Sequence, residues 1–127
     1  MKPCPCGTGK TYQECCARFL TGNKLPATPE QLMRSRYTAY SRANIDYIIA
    51  TMKSPAADNF DKQNARLWAK QVTWVGLEVT HSQVDDDAGF VEFIASYRDG
   101  DGLQRLHELS RFRLIEGRWY YIDGELY

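Results

Sequence analysis

Residues 4–16 read Cys-Pro-Cys-Gly-Thr-Gly-Lys-Thr-Tyr-Gln-Glu-Cys-Cys, and all four cysteines of the 127-residue chain lie within them. Pro5 and Gly7 favour a tight bend between the first two cysteines, because proline fixes φ and glycine admits positive φ. The stretch has few large apolar side chains to offset an ordering entropy of about 1–2 kcal/mol per residue. A metal ion would supply that stabilisation, and four thiolates form a closed tetrahedral zinc site. We predict one structural Zn²⁺, bound by Cys4, Cys6, Cys15 and Cys16.

A disulfide, a redox pair and an iron–sulfur cluster are the alternatives to zinc. The N-terminus lacks the long apolar segment of a secretory signal, so we expect a reducing, cytoplasmic location, which disfavours disulfides. Cys4 and Cys6 form a Cys-x-Cys pair, whereas redox enzymes use Cys-x-x-Cys. The cysteine spacing also differs from that of the usual ferredoxin motifs.

Capping signals predict where the helices begin. Thr11 and Glu14 form a Thr-x-x-Glu capping box, which predicts a short helix that carries the last two cysteines and ends near Gly22. Thr28-Pro29 begins a second helical pattern that extends to about residue 43, with Asn44 as its left-handed stop. Two more helices are expected, one at about 45–52 with Asp46 or Asn44 as its cap and one at 59–70.

After residue 71 the apolar residues alternate with a period of two, which predicts β-strands. The strands are expected at 72–84, 89–97, 103–115 and 118–122, separated by turns rich in Asp and Gly. The predicted fold is therefore α+β: an N-terminal zinc knuckle, then three helices packed on a curved four-stranded antiparallel sheet, cystatin-like or cone-like. We expect residues 1–22 to form the zinc-binding motif and residues 28–127 the cone-like domain.

The charge of the chain is balanced overall but unevenly distributed. The formal net charge is zero, which argues against a whole-protein nucleic-acid binder. Residues 1–44 carry seven Lys or Arg against two Glu, so a nucleic-acid contact by this basic front end stays as a secondary hypothesis. No apolar run approaches the roughly 18 residues of a membrane-spanning helix.

The cysteine stretch resembles the SEC-C motif, the zinc knuckle at the carboxyl end of the SecA translocation ATPase. Thr8 stands where that motif usually has Ser. The resemblance implies that the four cysteines are zinc ligands and that the knuckle contacts protein partners. It also suggests that such a partner belongs to the secretion or translation machinery. Lys10, Tyr12 and Arg18 are the residues expected at such a contact.

The rest of the chain resembles the bacterial YchJ-like family. The resemblance rests on Leu-Met-Arg-Ser-Arg-Tyr-Thr-Ala-Tyr at 32–40, Val-Glu-Phe at 91–93, His-Glu-x-Ser-Arg-Phe at 107–112 and Trp-x-Tyr-x-Asp-Gly at 119–124. That family pairs a SEC-C knuckle with a cone-shaped domain of the nuclear transport factor two type. The first functional hypothesis is therefore a zinc-binding adaptor or protein-interaction module with no demonstrable catalysis.

The third predicted strand suggests a second site. Glu108 and Ser110 share a face with Phe112, and the apolar members of that face indicate that it points inward. A buried carboxylate needs a partner, and Arg34 or Arg36 is a candidate, as is Arg111 if the parity of the strand is the opposite. One interpretation is therefore a buried Glu–Arg pair joining helix to sheet. The alternative is a small-molecule-binding or enzymatic pocket around Glu108. Its expected lining is Tyr37, Tyr40, Trp68, Glu108, Ser110 and Trp119, with Tyr121 as the alternative to Trp119. We predict no catalytic residue, since His107 has the opposite parity to Glu108.

Overall fold

Four antiparallel strands form the sheet on which the rest of the chain packs. The computed structural model describes residues 2–127 and contains β1 (Thr73–Asp85), β2 (Ala88–Asp99), β3 (Gly102–Ile115) and β4 (Arg118–Leu126). The strands pair in chain order, β1-β2-β3-β4. The predicted meander is confirmed, and the last strand extends further than its alternation indicated.

Four helices precede the sheet: α1 (Ala17–Leu20), α2 (Pro29–Ser41), α3 (Ile45–Ala50) and α4 (Lys62–Gln71). The α2 cap forms as predicted, since the Thr28 side chain accepts a hydrogen bond from the Gln31 backbone N–H. No helix among residues 2–127 is both long enough and apolar enough to cross a membrane.

The first helix begins later than the capping box predicted. Thr11 Oγ1 accepts a hydrogen bond from the Glu14 backbone N–H at 3.3 Å, but residues 12–16 form turns and α1 begins at Ala17. Neighbouring residues of an α-helix point about 100° apart, which would separate two adjacent thiols. The turn conformation instead keeps Cys15 Sγ and Cys16 Sγ 4.0 Å apart.

The α2 stop and the α4 start also differ from the prediction. Ala43, with φ of 55°, takes the left-handed conformation expected of Asn44. Asn44 caps α3, as one of the two predicted alternatives, and its Oδ1 accepts a hydrogen bond from the Tyr47 backbone N–H at 3.2 Å. Helix α4 begins at Lys62, three residues after the predicted start at 59, and Asp61 is its N-cap. Asn is favoured both at a left-handed helix stop and at a helix N-cap. The N-cap position adds a hydrogen bond from its side chain to the backbone.

The helices cover one face of the sheet and bury two apolar clusters. The first lies between α2 and the inner face of the sheet, and its buried members are Leu32, Met33, Tyr37, Val91, Phe93, Ala95, Phe112 and Trp119. The second lies among the helices, and its buried members are Phe19, Ala39, Ile45, Tyr47, Ile48, Met52 and Ala69. Helix α2 contributes to both clusters and therefore joins the helical layer to the sheet.

The front segment packs against both layers. Phe19 of α1 belongs to the second cluster. Arg34 Nη1 of α2 donates a hydrogen bond to the Cys6 carbonyl oxygen at 2.6 Å. Gly7 lies so close to β1 that a Cβ on it would come 3.0 Å from the Leu77 carbonyl oxygen. The division into 1–22 and 28–127 stays a prediction, and the two parts share buried contacts.

Three irregularities in the strand register bend the sheet over its helices. Two lie in β1, between Trp74 and Gly76 and between Val79 and His81, and one lies in β4, where Ile122 is the extra residue between Tyr121 and Asp123. A β-bulge bends its strand and increases the local twist. The inner face is therefore concave, and space is left beneath the helices beyond the first cluster.

Replacing Phe112 tests the first cluster. Phe112 is 1% exposed, so Phe112→Ala removes a buried ring, and we expect the free energy of unfolding to fall by about 3–5 kcal/mol. Ile115→Ala on the same strand is the control, because Ile115 is 39% exposed. Urea denaturation followed by circular dichroism measures both. Equal losses would contradict this assignment of the core.

Candidate metal centre and cavity

The four cysteine side chains converge although they come from two separate turns. Their Sγ atoms all lie within 4.8 Å of one another, and the residues are 0–5% exposed. The Cys6–Cys15 and Cys15–Cys16 sulfur distances are 3.5 and 4.0 Å. Four sulfurs at about 2.3 Å from a tetrahedral zinc ion lie about 3.8 Å from each other. The four thiols therefore have the spacing of a tetrahedral metal site.

Backbone hydrogen bonds hold the first two cysteines in a closed loop. The Cys4 N–H donates to the Lys10 carbonyl oxygen at 2.8 Å, and the Gly7 N–H donates to the Cys4 carbonyl oxygen at 3.2 Å. Gly7 and Gly9 both have φ near +87°, a region that a side chain disfavours. The predicted bend is therefore present, and glycine is needed at both positions.

Two threonine hydroxyls surround the sulfur cluster. Thr8 Oγ1 lies 3.2 Å from Cys15 Sγ, and Thr38 Oγ1 donates a hydrogen bond to Cys16 Sγ at 3.3 Å. Thr38 belongs to α2 and also lies 3.7 Å from Cys4 Sγ. Groups that hydrogen-bond to metal ligands orient them and tune their basicity. Thr38 therefore connects the candidate metal centre to the longest helix.

Binding of a cation to the four thiols would change their protonation state. Burial raises the pKa of Cys15, and the hydrogen bond with Cys6, followed by burial, raises the pKa of Cys16. The same hydrogen bond from Cys16 lowers the pKa of Cys6 to about 4. Four buried thiolates repel each other, and a divalent cation offsets that repulsion, so metal binding releases protons from this cluster.

The three residues predicted at a partner contact have different surroundings. Lys10 is exposed. Tyr12 is half-buried, with the Arg42 guanidinium 4.3 Å from its ring centre. Arg18 Nε donates a hydrogen bond to the Cys15 carbonyl oxygen at 2.9 Å, so Arg18 also supports the turn that carries Cys15 and Cys16.

A cavity of about 530 Å³ lies between the helices and the concave face of the sheet. Five of the six residues expected around a pocket line it: Tyr37, Tyr40, Trp68, Glu108 and Ser110. The sixth, Trp119, does not. It is 5% exposed in the first cluster, and its indole N–H donates to the Ala27 carbonyl oxygen at 3.2 Å. Tyr121, two residues later on β4, lines the cavity instead.

Trp74 of β1 also lines the cavity, although the alternation of residues along that strand did not identify it. Trp74, Leu77 and Val79 of β1 all pack against the first cluster, although strict alternation would place Trp74 on the opposite face from the other two. The register irregularity between Trp74 and Gly76 inserts the extra residue that changes the parity. The glycine within an apolar strand was the available signal for such a bulge.

Glu108 forms hydrogen bonds at one end of the cavity and is not part of an ion pair. Its Oε2 accepts hydrogen bonds from Ser110 Oγ at 2.5 Å and from the Tyr121 hydroxyl at 3.1 Å. Burial, followed by the charge of Glu108, raises the pKa of Tyr121, so that hydroxyl keeps its proton. Within residues 2–127, Glu108 pairs with neither Arg34 nor Arg36. The interpretation as a direct Glu–Arg pair is therefore wrong for this carboxylate.

The two candidate arginines have other contacts. Arg34 pairs with Glu30 at 3.0 Å. Arg36 Nη1 donates to the Ile48 carbonyl oxygen at 2.9 Å and to Thr51 Oγ1 at 2.7 Å. Its guanidinium also lies 4.6 Å from the centre of the Tyr121 ring. Arg36 is thus buried against α3 and lines the cavity without touching Glu108.

Gly124 of β4 provides the space that Glu108 occupies. A Cβ at this position would come 2.5 Å from Glu108 Oε2 and 3.0 Å from the Tyr121 hydroxyl oxygen. His107, the neighbour of Glu108, contacts a different carboxylate, since its Nε2 lies 2.7 Å from Glu92 Oε2. His107 and Glu108 therefore do not act on one site as an acid–base pair.

Comparison with known proteins shows the family. Residues 28–124 match the family described as YchJ, middle NTF2-like domain, and residues 2–18 match the SEC-C motif. The chain belongs to the YchJ-like family. The predicted membership and fold class are confirmed.

Similar proteins are known from other bacteria. A UPF0225 protein of Geobacter sulfurreducens is 47% identical over 124 residues, which cover 95% of this chain and 77% of that protein. The solution structure of a SEC-C motif containing protein from Rhodopseudomonas palustris has a TM-score of 0.89 and 43% identity, covering 96% of each chain. The crystal structure of another from Psychrobacter arcticus has a TM-score of 0.85 and 32% identity, covering 98% of this chain and 82% of that one.

Replacing Thr38 tests the link between the sulfur cluster and α2. Thr38→Val keeps the shape of the side chain but removes the hydroxyl beside Cys4 and Cys16, and we expect metal affinity to fall about tenfold. Thr80→Val is the control, because Thr80 is exposed on β1. Competition with a coloured chelator measures both affinities. Unchanged affinity in Thr38→Val would show that the hydroxyl does not support the ligands.

Proposed function

We propose that this protein binds one zinc ion and that the metal-held front segment docks on another protein in the cytoplasm. The convergence of four buried thiols carries the proposal. Cys4, Cys6, Cys15 and Cys16 are the proposed ligands. Residues 1–22 form the proposed zinc-binding unit, and residues 28–127 form the cone-like domain that supports it.

The donor set supports zinc and a structural role. Thiolates in a tetrahedral arrangement are the donors that zinc prefers in closed sites. Four protein ligands leave no position for a reacting water, so the ion would stabilise the segment and perform no chemistry. The match to the SEC-C motif over residues 2–18 supports the same assignment.

The surface beside the sulfur cluster supports a partner of acidic character. A depression of about 270 Å³ lies there, and Lys10, Arg18 and Arg34 line it. Glu30 compensates the charge of Arg34, which leaves the exposed Lys10 and the half-buried Arg18 as its uncompensated charges. A carboxylate-bearing segment of another protein fits this charge. The resemblance to the carboxyl end of SecA supports a partner in the secretion or translation machinery.

Elemental analysis tests the metal. Protein purified without chelator is expected to contain one zinc per chain, and Cys15→Ser to lose most of it, because serine is a poor ligand for a soft site. Ser82→Ala, an exposed position on β1, should keep full occupancy. Stoichiometric iron or copper in place of zinc would contradict the assignment.

Reversing the charge of Lys10 tests the docking surface. Lys10→Glu is expected to reduce partner binding by roughly threefold to tenfold, because exposed charges mainly affect association. Lys24→Glu makes the same charge change at another exposed position of the front segment. Quantitative affinity capture from bacterial lysate, compared by mass spectrometry, measures both variants. An identical set and yield of partners in all three proteins would remove Lys10 from the contact.

A further inference from the structure

The cavity beneath the helices has the size of a ligand site. Its volume of about 530 Å³ lies within the range of about 300–1,000 Å³ for small-molecule pockets. Helices α2 and α4 cover one side of it, and residues of the loop between α3 and α4, including Pro55 and Phe60, border another part. The proposed metal site uses none of these residues.

Aromatic side chains form much of the cavity wall. Trp68 of α4 packs edge to face against Trp74 and Tyr97, with ring centres 5.1 and 5.3 Å away. Tyr40 of α2 packs edge to face against the same Trp68 at 6.2 Å. Rings that contact each other this way support one another in fixed orientations. The wall therefore presents flat, rigid apolar surfaces, which match a planar aromatic molecule.

One carboxylate oxygen at the polar end of the cavity has no donor from the protein. Both hydrogen bonds to Glu108, from Ser110 and Tyr121, go to Oε2. Among residues 2–127, no donor forms a hydrogen bond with Oε1. Glu108 is half-buried, and Oε1 is not among the buried polar atoms that lack a partner in residues 2–127, so this oxygen remains accessible and can accept a hydrogen bond from a molecule in the cavity.

The charges around the cavity favour an occupant without net charge. Arg36 and Glu108 both line it and carry opposite charges. Asp123 also lines it, but its Oδ1 accepts a hydrogen bond from Arg111 Nε at 2.7 Å. A bound cation would be attracted by Glu108 but repelled by Arg36, and a bound anion would be attracted by Arg36 but repelled by Glu108. A neutral molecule avoids both of these charge repulsions.

We propose that the cavity binds a neutral, planar aromatic or heteroaromatic molecule whose N–H or O–H donates a hydrogen bond to Glu108 Oε1. The aromatic wall buries the apolar surface of the bound molecule, and Glu108 selects for molecules that carry an N–H or O–H donor. This binding site is separate from the candidate metal centre, and it requires no reaction at the cavity.

Methionine methyl groups provide the readout. The chain contains three methionines, and two of them, Met33 and Met52, line the cavity. Protein labelled with ¹³C at the methionine methyl groups is titrated with indole and, separately, with 1-methylindole, which has the same ring without the N–H donor. The signals are assigned with Met33→Leu and Met52→Leu. Indole should shift both signals saturably and bind about tenfold to a hundredfold more tightly than 1-methylindole.

Two pairs of variants test the role of Glu108. In Glu108→Met the preference for indole should disappear, whereas Glu92→Met, which removes a carboxylate near His107 outside the cavity, should keep it. Gly124→Ala should also weaken the preference, because its Cβ would displace the Glu108 carboxylate. Gly76→Ala is its control, since a Cβ there would have no neighbour within 4 Å. The second pair keeps the test informative if Glu108→Met does not fold.

Several results would overturn the proposal. One is the absence of saturable shifts at Met33 and Met52. Equal affinity for the two probes, or a preference for indole that persists in Glu108→Met and in Gly124→Ala, would also do so. Tighter binding of the anion indole-3-acetate or of the cation tryptamine than of indole would show that the occupant is charged.

Discussion

The structure depends on the burial of four thiols against one helix. Cys4, Cys6, Cys15 and Cys16 are almost fully removed from solvent. Thiolates that close together require a cation, and a cation at that point requires the two turns to remain in place. The hydroxyl of Thr38 and the guanidinium of Arg34, both on α2, bind this cluster and its loop. The front segment is therefore fixed to the helix on which the domain core is assembled.

The second feature of the fold is a concave sheet that its helices do not fill. The bulges curve the strands, and the aromatic side chains beneath α2 and α4 meet edge to face instead of collapsing into the space. Hydrogen bonds at the polar end of the cavity hold its side chains in place, so they do not move inward to fill the space. Glu108 is bonded to Ser110 and Tyr121, and Arg36 is bonded to the end of α3. The cavity thus follows from curvature together with polar side chains that hydrogen bonds hold in place.

Much of the fold could be predicted from the sequence, because its signals are local. Strand alternation identified the four strands, and the Thr28 cap identified the start of α2. The clustering of the cysteines in sequence indicated which thiols would meet, and parity on β3 placed Glu108 and Ser110 inward. These inferences needed only chemistry and geometry within short segments.

The errors arise where tertiary contacts or an extra residue override a local pattern. The bulge after Trp74 changes the parity of β1, so Trp74 joins the cavity unexpectedly. Trp119 faces inward as expected, but the Ala27 carbonyl captures its indole N–H and holds it in the core. The Thr11 box forms without a helix at its own position, because the convergence of the thiols requires turns there.

Gly124 is a glycine for reasons of space, since its φ lies outside the left-handed region and a side chain there would overlap the Glu108 carboxylate. Its identity is therefore tied to that of two other residues, Glu108 and Tyr121. In an alignment of related chains, a larger residue at this position should occur together with a shorter side chain at position 108 of β3. Covariation between these positions would thus record the geometry of the polar end of the cavity in sequence form.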